Sequence, residues 1–239
     1  TLAVIPVNDA PTAISLDGNS LIENSAGSVI GTLTVTDPDV DSYFPHDSTF
    51  PSPVVTTPAA SAVVGGEFQV NTITSGDQYD SSVTTLVDGS FVVTWSDASG
   101  QDTSGNGVYG QRYDASGNPL GSEFQVNTFV NGNQNASRIT SLSDGGFVIT
   151  WHSEGQDDTA GSYTYNTRGV YGQRYDSSGN TVGSEFLINT HTSNQQSYPE
   201  ITSLSSGGFV VVWESYGQEA NSGIYGQRFD NNGKVGSEF

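Results

Sequence analysis

The stretch FVVTW at Phe91–Trp95 reads as a short strand apolar on both faces, and it is written again as FVITW at Phe147–Trp151 and FVVVW at Phe209–Trp213. Each copy is followed by YGQRYD or YGQRFD, at Tyr109–Asp114, Tyr171–Asp176 and Tyr225–Asp230, and then by GSEF at Gly121–Phe124, Gly183–Phe186 and Gly236–Phe239. The step is 56 residues from Trp95 to Trp151 and 62 from Trp151 to Trp213. At such a period each copy is one supersecondary unit that buries its apolar face by stacking on its neighbours. Repeated residues are then mostly architectural, and function is expected where the copies differ.

Within one copy the pattern predicts four strands: Ser82–Leu86, Phe91–Trp95, Val108–Tyr113 and Glu123–Asn127. The first two join through Asp88-Gly89, whose counterparts are Asp144-Gly145 and Ser206-Gly207; the glycine supplies the positive φ that a tight hairpin turn needs. The fold class is therefore all-β, built of repeated four-stranded antiparallel units like β-propeller blades. The units fall at about 73–128, 129–190 and 191–239 of a repeat region 65–239, led by a strand over 67–72. Propellers usually close with about four to eight blades. Three units leave open a ring completed by other blades or subunits, an open array, or a threefold body.

Composition narrows the partners. Six Lys plus Arg against 26 Asp plus Glu give a net charge of -20, which repels nucleic acid and anionic lipid. No Cys is present, so no disulfide framework or thiol chemistry is expected, and no apolar run approaches the roughly 20 residues of a membrane helix. The chain shows no signal peptide or initiator Met, and its last GSEF stops where earlier copies continue as QVNT or LINT. It reads as a piece of something longer.

Residues 1–41 carry VNDAP at Val7–Pro11, ENSAG at Glu23–Gly27 and TVTDPDVD at Thr34–Asp41, with an alternating strand at Val29–Thr36. This order resembles the first half of the bacterial cadherin-like modules of large secreted and surface adhesins. The resemblance implies a partial cadherin-like or Ig-like β-sandwich segment. It also implies calcium at a module boundary, bound by Asn8, Asp9, Glu23, Asp37 and Asp39. Residues 42–64, rich in Pro, Ser and Thr, read as a linker. The repeat region resembles the tandem FVVTW and YGQRYD repeats of very large secreted bacterial proteins, which implies a secreted or cell-surface, extracellular location.

Several residues are candidates for chemistry. Arg112, Arg174 and Arg228 form one column and Glu123, Glu185 and Glu238 another, read either as paired ions holding the third and fourth strands in register or as cationic ligand sites. Trp95, Trp151 and Trp213 suit either core packing or sugar stacking. Acidic Gly-bearing loops place Asp102, Asp157 and Glu219 after Gln101, Gln156 and Gln218, a weaker oxygen set for calcium. Copy two alone inserts GSYTYNTR, so Tyr163, Tyr165 and Arg168 form a candidate ligand-binding loop. No nucleophile motif surrounds His46, His152 or His191.

The functional expectation is a non-enzymatic, calcium-stabilised adhesion or fibre protein. Its partners are its own copies or other surface proteins, reached through strand edges at Glu67–Thr72 and Ser237–Phe239, or glycans. The alternatives are a carbohydrate-binding module or a propeller-type glycosidase or lyase, which needs only two suitably spaced carboxylates.

Overall fold

The computed structural model describes residues 13–16, 33–36, 66–157 and 167–239. The chain divides into two compact units, Thr1–Glu67 and Phe68–Phe239. In the first, β1 (Ala13–Leu16) pairs antiparallel with β2 (Leu33–Thr36), Ala13 facing Thr36 and Leu16 facing Leu33. Asn8, Asp9, Glu23, Asp37 and Asp39 lie outside the described residues.

The second unit contains three four-stranded antiparallel sheets, each running in chain order. Blade one is β3 (Gln78–Thr85), β4 (Phe91–Asp97), β5 (Gly107–Tyr113) and β6 (Phe124–Gln125). Blade two is β7 (Gln134–Ser141), β8 (Phe147–Glu154), β9 (Arg168–Tyr175) and β10 (Thr181–Leu187). Blade three is β11 (Gln196–Ser203), β12 (Phe209–Ser215), β13 (Gly223–Asp230) and β14 (Gly233–Val235). The described residues contain no helix. First strands pack on first strands, β3 against β7 and β7 against β11, as the inner strands of adjacent propeller blades do.

Each inner strand carries one bulge at the same place. Register slips between Tyr79 and Ser82, Asn135 and Arg138, and Ser197 and Glu200, where Asp80, Ala136 and Tyr198 take φ of 53°, 56° and 54°. A bulge adds a residue, bends the strand and re-aims its side chains. Here it also turns a backbone N–H toward the preceding blade: Ala136 donates to Ser96 Oγ at 3.2 Å, and Tyr198 to His152 Nδ1 at 3.5 Å.

The blades stack through two faces. The trailing face of blade one, Leu86, Val92, Val108 and Val126, packs on the leading face of blade two, which includes Ile139, Phe147, Ile149 and Trp151. Leu142, Val148, Val170 and Ile188 meet Phe209, Val211 and Trp213 of blade three in the same way. All three Trp side chains are core, which settles the choice between packing and sugar stacking.

The GSEF phenylalanines join neighbouring blades. Phe124, Phe186 and Phe239 lie over Gly110, Gly172 and Gly226, where an added Cβ would come within 2.8, 2.9 and 2.7 Å of the ring. Phe124 and Phe186 also tilt against Tyr175 and Phe229 of the following blade, at ring separations of 5.6 Å in both cases. Those rings stack in turn on Phe147 and Phe209, at 4.8 Å. Phe68 makes the same contact with Tyr113 at 5.4 Å. It does so without the expected strand: residues 67–72 form none. Their polar groups turn to side chains instead, with Thr72 N–H donating to Glu123 Oε2 at 2.8 Å and Val70 C=O accepting from the Tyr113 hydroxyl at 2.9 Å.

The expected Arg–Glu pairs do not form. Glu123, Glu185 and Glu238 accept from the backbone and hydroxyl of Thr72, Thr128 and Thr190, clamping the segment that enters each blade to its outer strand. Arg112 donates to the carbonyls of Ser177 and Ser178, and Arg174 to Asp144 Oδ2 at 2.6 Å and Asn231 Oδ1 at 3.0 Å. Arg228 is exposed and has no ion pair among the described residues. Adjacent strands point alternate side chains to opposite faces, so two columns that are close in sequence end on different sides. The Arg174–Asp144 pair is half open to water, with side chains 19% and 51% exposed. Arg174→Ala should therefore cost only about 0.2–1 kcal/mol in a urea titration. A loss of about 3 kcal/mol or more, the penalty for stranding a buried charge, would contradict this assignment.

Candidate binding groove

The residues expected to form sites scatter. Tyr163 and Tyr165 lie outside the described residues. Arg168 belongs to strand β9 rather than a loop, and its guanidinium pairs with the buried Glu154 at 2.9 Å. Its neighbour His152 is buried, and that burial, with Arg168 nearby, lowers its pKa to about 3.

No group of three or more candidate ligands able to hold a metal occurs among the described residues. Asp102 is 2% exposed, its Oδ1 accepting from Gln125 and its Oδ2 from Asn127, each at 3.0 Å. Burial raises its pKa to about 6 against the pull of these two bonds. Glu219 accepts the Tyr225 hydroxyl at 2.7 Å, and Asp157 lies against Gly169 in another blade. Each of these carboxylates stands in a separate blade, and none belongs to a group of three or more His, Asp or Glu side chains placed to hold a metal among the described residues.

What the structure does assemble is a groove of about 450 Å³ lined by Thr72, Ile73, Gln101, Tyr109, Gln111 and Glu123, with Ser122 and Pro119 at its rim. That volume lies within the range of small-molecule sites, about 300–1,000 Å³. The entering segment supplies Thr72, the loop after Trp95 supplies Gln101, β5 supplies Tyr109 and Gln111, and the approach to β6 supplies Glu123. Gln111 spends its amide on the carbonyls of Arg112 and Gly121, which leaves it a wall. Burial, then Asp102, Asp97 and Glu123, pushes the Tyr109 phenol up to about 12, so it stays protonated and able to donate.

Glu123 is the distinctive group. Its Oε2 takes both the N–H and the hydroxyl of Thr72, at 2.8 and 2.7 Å, while its buried Oε1 has no partner. Copy two shows what that oxygen accepts: Gln156 Nε2 donates to the equivalent Oε1 of Glu185. In copy one the aligned Gln101 turns toward Asp97 Oδ2, at 3.5 Å, and leaves the Glu123 oxygen without an amide donor. Glu123 was legible as a repeat column, and Thr72 could have been found through the recurrent Asn-Thr of QVNT and LINT. The turn of Gln101 had no sequence signal, because Gln occupies that column in every copy.

No protein-family model matches the chain, and no curated protein matches it. Two solved structures to which it is similar are an alpha-L-arabinofuranosidase from Lactobacillus brevis and an endo-arabinase from Bacteroides thetaiotaomicron VPI-5482. The first is 13% identical over 67% of this chain and 52% of that one, with a TM-score of 0.42. The second is 15% identical over 62% of this chain and 55% of that one, with a TM-score of 0.41. The chain thus spans about half the length of the structures it matches. Both are enzymes by name, against the expectation of a non-enzymatic chain, and at such identities and TM-scores they carry no activity over to this chain.

Proposed function

We propose that this chain is directed to carbohydrate and takes an uncharged glycan in the groove beside Glu123. The observation that carries the reading is the Glu123 Oε1, a buried oxygen at the groove wall left without the amide donor that copy two places there. A sugar hydroxyl is such a donor, and a hydrogen bond to a carboxylate is about twice as strong as a neutral one. The Gln101 amide and Tyr109 hydroxyl add a mixed donor and acceptor set along the same wall. The net charge of -20 selects against anionic polysaccharide. Calorimetric titration with a panel of neutral polysaccharides, arabinan among them, should find one that binds, with affinity falling about 10- to 100-fold in Glu123→Gln. Absence of binding across the panel, or equal binding by the variant, defeats the reading.

Glycoside hydrolysis at this groove is favoured by a second observation. Asp102 and Glu123 both act on the Tyr109 phenol, and burial raises the Asp102 pKa to about 6. Carboxylates with unlike environments can divide acid and base roles. Release of reducing ends should drop about 100-fold or more in Asp102→Asn or Glu123→Gln. Release that survives both substitutions removes these residues from the reaction.

A further inference from the structure

The two junctions between blades share their columns, but their outer rims are built differently. Between blades one and two, Arg112 fills the rim. Its guanidinium donates to the carbonyls of Ser177 and Ser178, in the turn 176–180 that joins Tyr175 to its strand partner Thr181. Its alkyl chain lies on Gly179, where an added Cβ would meet Arg112 Cδ at 2.8 Å. Between blades two and three, two changes in sequence undo this arrangement. The turn from Phe229 to its partner Lys234 is one residue shorter, 230–233. In addition, Gly146 stands where blade one has Ser90, whose hydroxyl donates to Asp88 Oδ1 at 2.5 Å. Asp144, lacking that donor, takes Arg174 at 2.6 Å, and the same Nη2 reaches Asn231 Oδ1 at 3.0 Å.

The space that results is a groove of about 350 Å³ walled by Phe186, Phe209 and Phe229, with Arg174, Lys234 and Asp230 as its charged residues. Arg174 is drawn aside with two of its nitrogens unspent: Nε and Nη1 make no hydrogen bond among the described residues. Lys234 stands where blade two has Thr181, and its Nζ lies 3.5 Å from the Asn189 carbonyl of the neighbouring blade. It has no ion pair among the described residues. Asp230 is turned to its own backbone, Oδ1 accepting the Asn232 N–H at 2.7 Å. The chain holds six basic residues against 26 acidic ones, yet two of the three charges lining this groove are cations. Their excess over the rest of the surface is what selects the ligand. Charges farther away than about 8 Å are screened at physiological ionic strength, so a small anion feels these two cations more than the net charge of -20.

We propose that this groove is a second binding site, for a small aromatic carboxylic acid whose ring packs on the phenylalanine wall and whose carboxylate meets Arg174 and Lys234. Aromatic rings add offset or edge-on contacts to the area they bury, and the wall already holds its rings in both arrangements, Phe186 tilted on Phe229 and Phe209 stacked on it. The carboxylate supplies acceptors to cationic N–H groups that no protein acceptor uses, the stronger class of hydrogen bond. The site lies between blades two and three, so it works independently of the groove beside Glu123 in blade one.

A ligand-observed NMR titration of the full chain with benzoate, phenylacetate and 3-phenylpropionate should find one that binds with a Kd of about 1 mM or tighter. The matching amides keep ring and tether but lose the charge, and should bind about tenfold more weakly. Acetate, which has no ring, should not bind. Arg174→Gln and Lys234→Thr, the second restoring the residue type of blade two, should each weaken the acid about tenfold. Arg228→Gln, at the exposed third member of the arginine column, should bind as the parent does. The comparison of ligands needs no variant, so it decides the matter even where a substitution fails to fold. Absence of binding by all three acids, amides as tight as the acids, unchanged affinity in either groove variant, or an equal loss in Arg228→Gln would each overturn the proposal.

Discussion

Trp151→Ala should lower the unfolding free energy of the blade array by about 3–5 kcal/mol, the usual range for truncating a packed tryptophan. Trp151 is 0% exposed and belongs to the cluster between blades one and two, surrounded by residues of both. Its indole N–H has no protein partner, so the loss is one of packing and apolar burial rather than of a hydrogen bond. Trp95 and Trp213 belong to the same column, at 3% and 1% exposure. Trp213 packs in the junction between blades two and three as Trp151 does between blades one and two, whereas Trp95 belongs to neither cluster. Truncation at Trp95 should therefore cost less than at Trp151, because a less enclosed site relaxes more readily into the cavity. Urea titrations followed by far-ultraviolet circular dichroism give the ranking. A Trp151→Ala loss below about 1 kcal/mol would mean that the repeat junction is not the principal core.

Acid should destabilise the array through His152. The folded-state pKa is lowered from 6.5 to about 3 by burial, with Arg168 adding to the effect. The unfolded chain takes up a proton as pH falls through 6.5, and the folded chain does not until about pH 3, so stability is progressively lost across that window. The full penalty is on the order of 3–5 kcal/mol. Asp102, with its pKa raised to about 6, works with the opposite sign: its contribution is present below the unfolded value near 4 and lost as pH rises through about 6. Comparing the parent with His152→Ser cancels that term, and serine already occupies the column as Ser96 in copy one. The difference in stability between the two proteins should widen in favour of the variant as pH falls from 7 toward 4. Parallel curves would show that His152 is not held neutral by the fold.

Strand positions, hairpin turns and the blade repeat follow from the sequence alone, because each rests on local pattern. FVVTW and its copies are β4, β8 and β12, and YGQRYD lies in β5, β9 and β13. The hairpin glycines Gly89, Gly145 and Gly207 take φ of 83°, 87° and 88°, as the turn chemistry required. Partner choice between columns did not follow. Arg174 and Glu185 are close in sequence and in adjacent strands, yet their partners are Asp144 and Thr128, reached across a hairpin and across the entry to the blade. The segment 67–72 looked like a strand because its GEFQVNT matches true outer-strand sequence; a strand needs a ladder partner, and Thr72 met a side chain instead. The groove is the clearest case. Gln101 and Gln156 are the same residue in the same column, and only packing decides that one caps its glutamate while the other turns to Asp97 and leaves Glu123 open. A repeat writes the same residue into every copy, so the sequence determined the blades, and only the tertiary structure could decide which copy has an unfilled site.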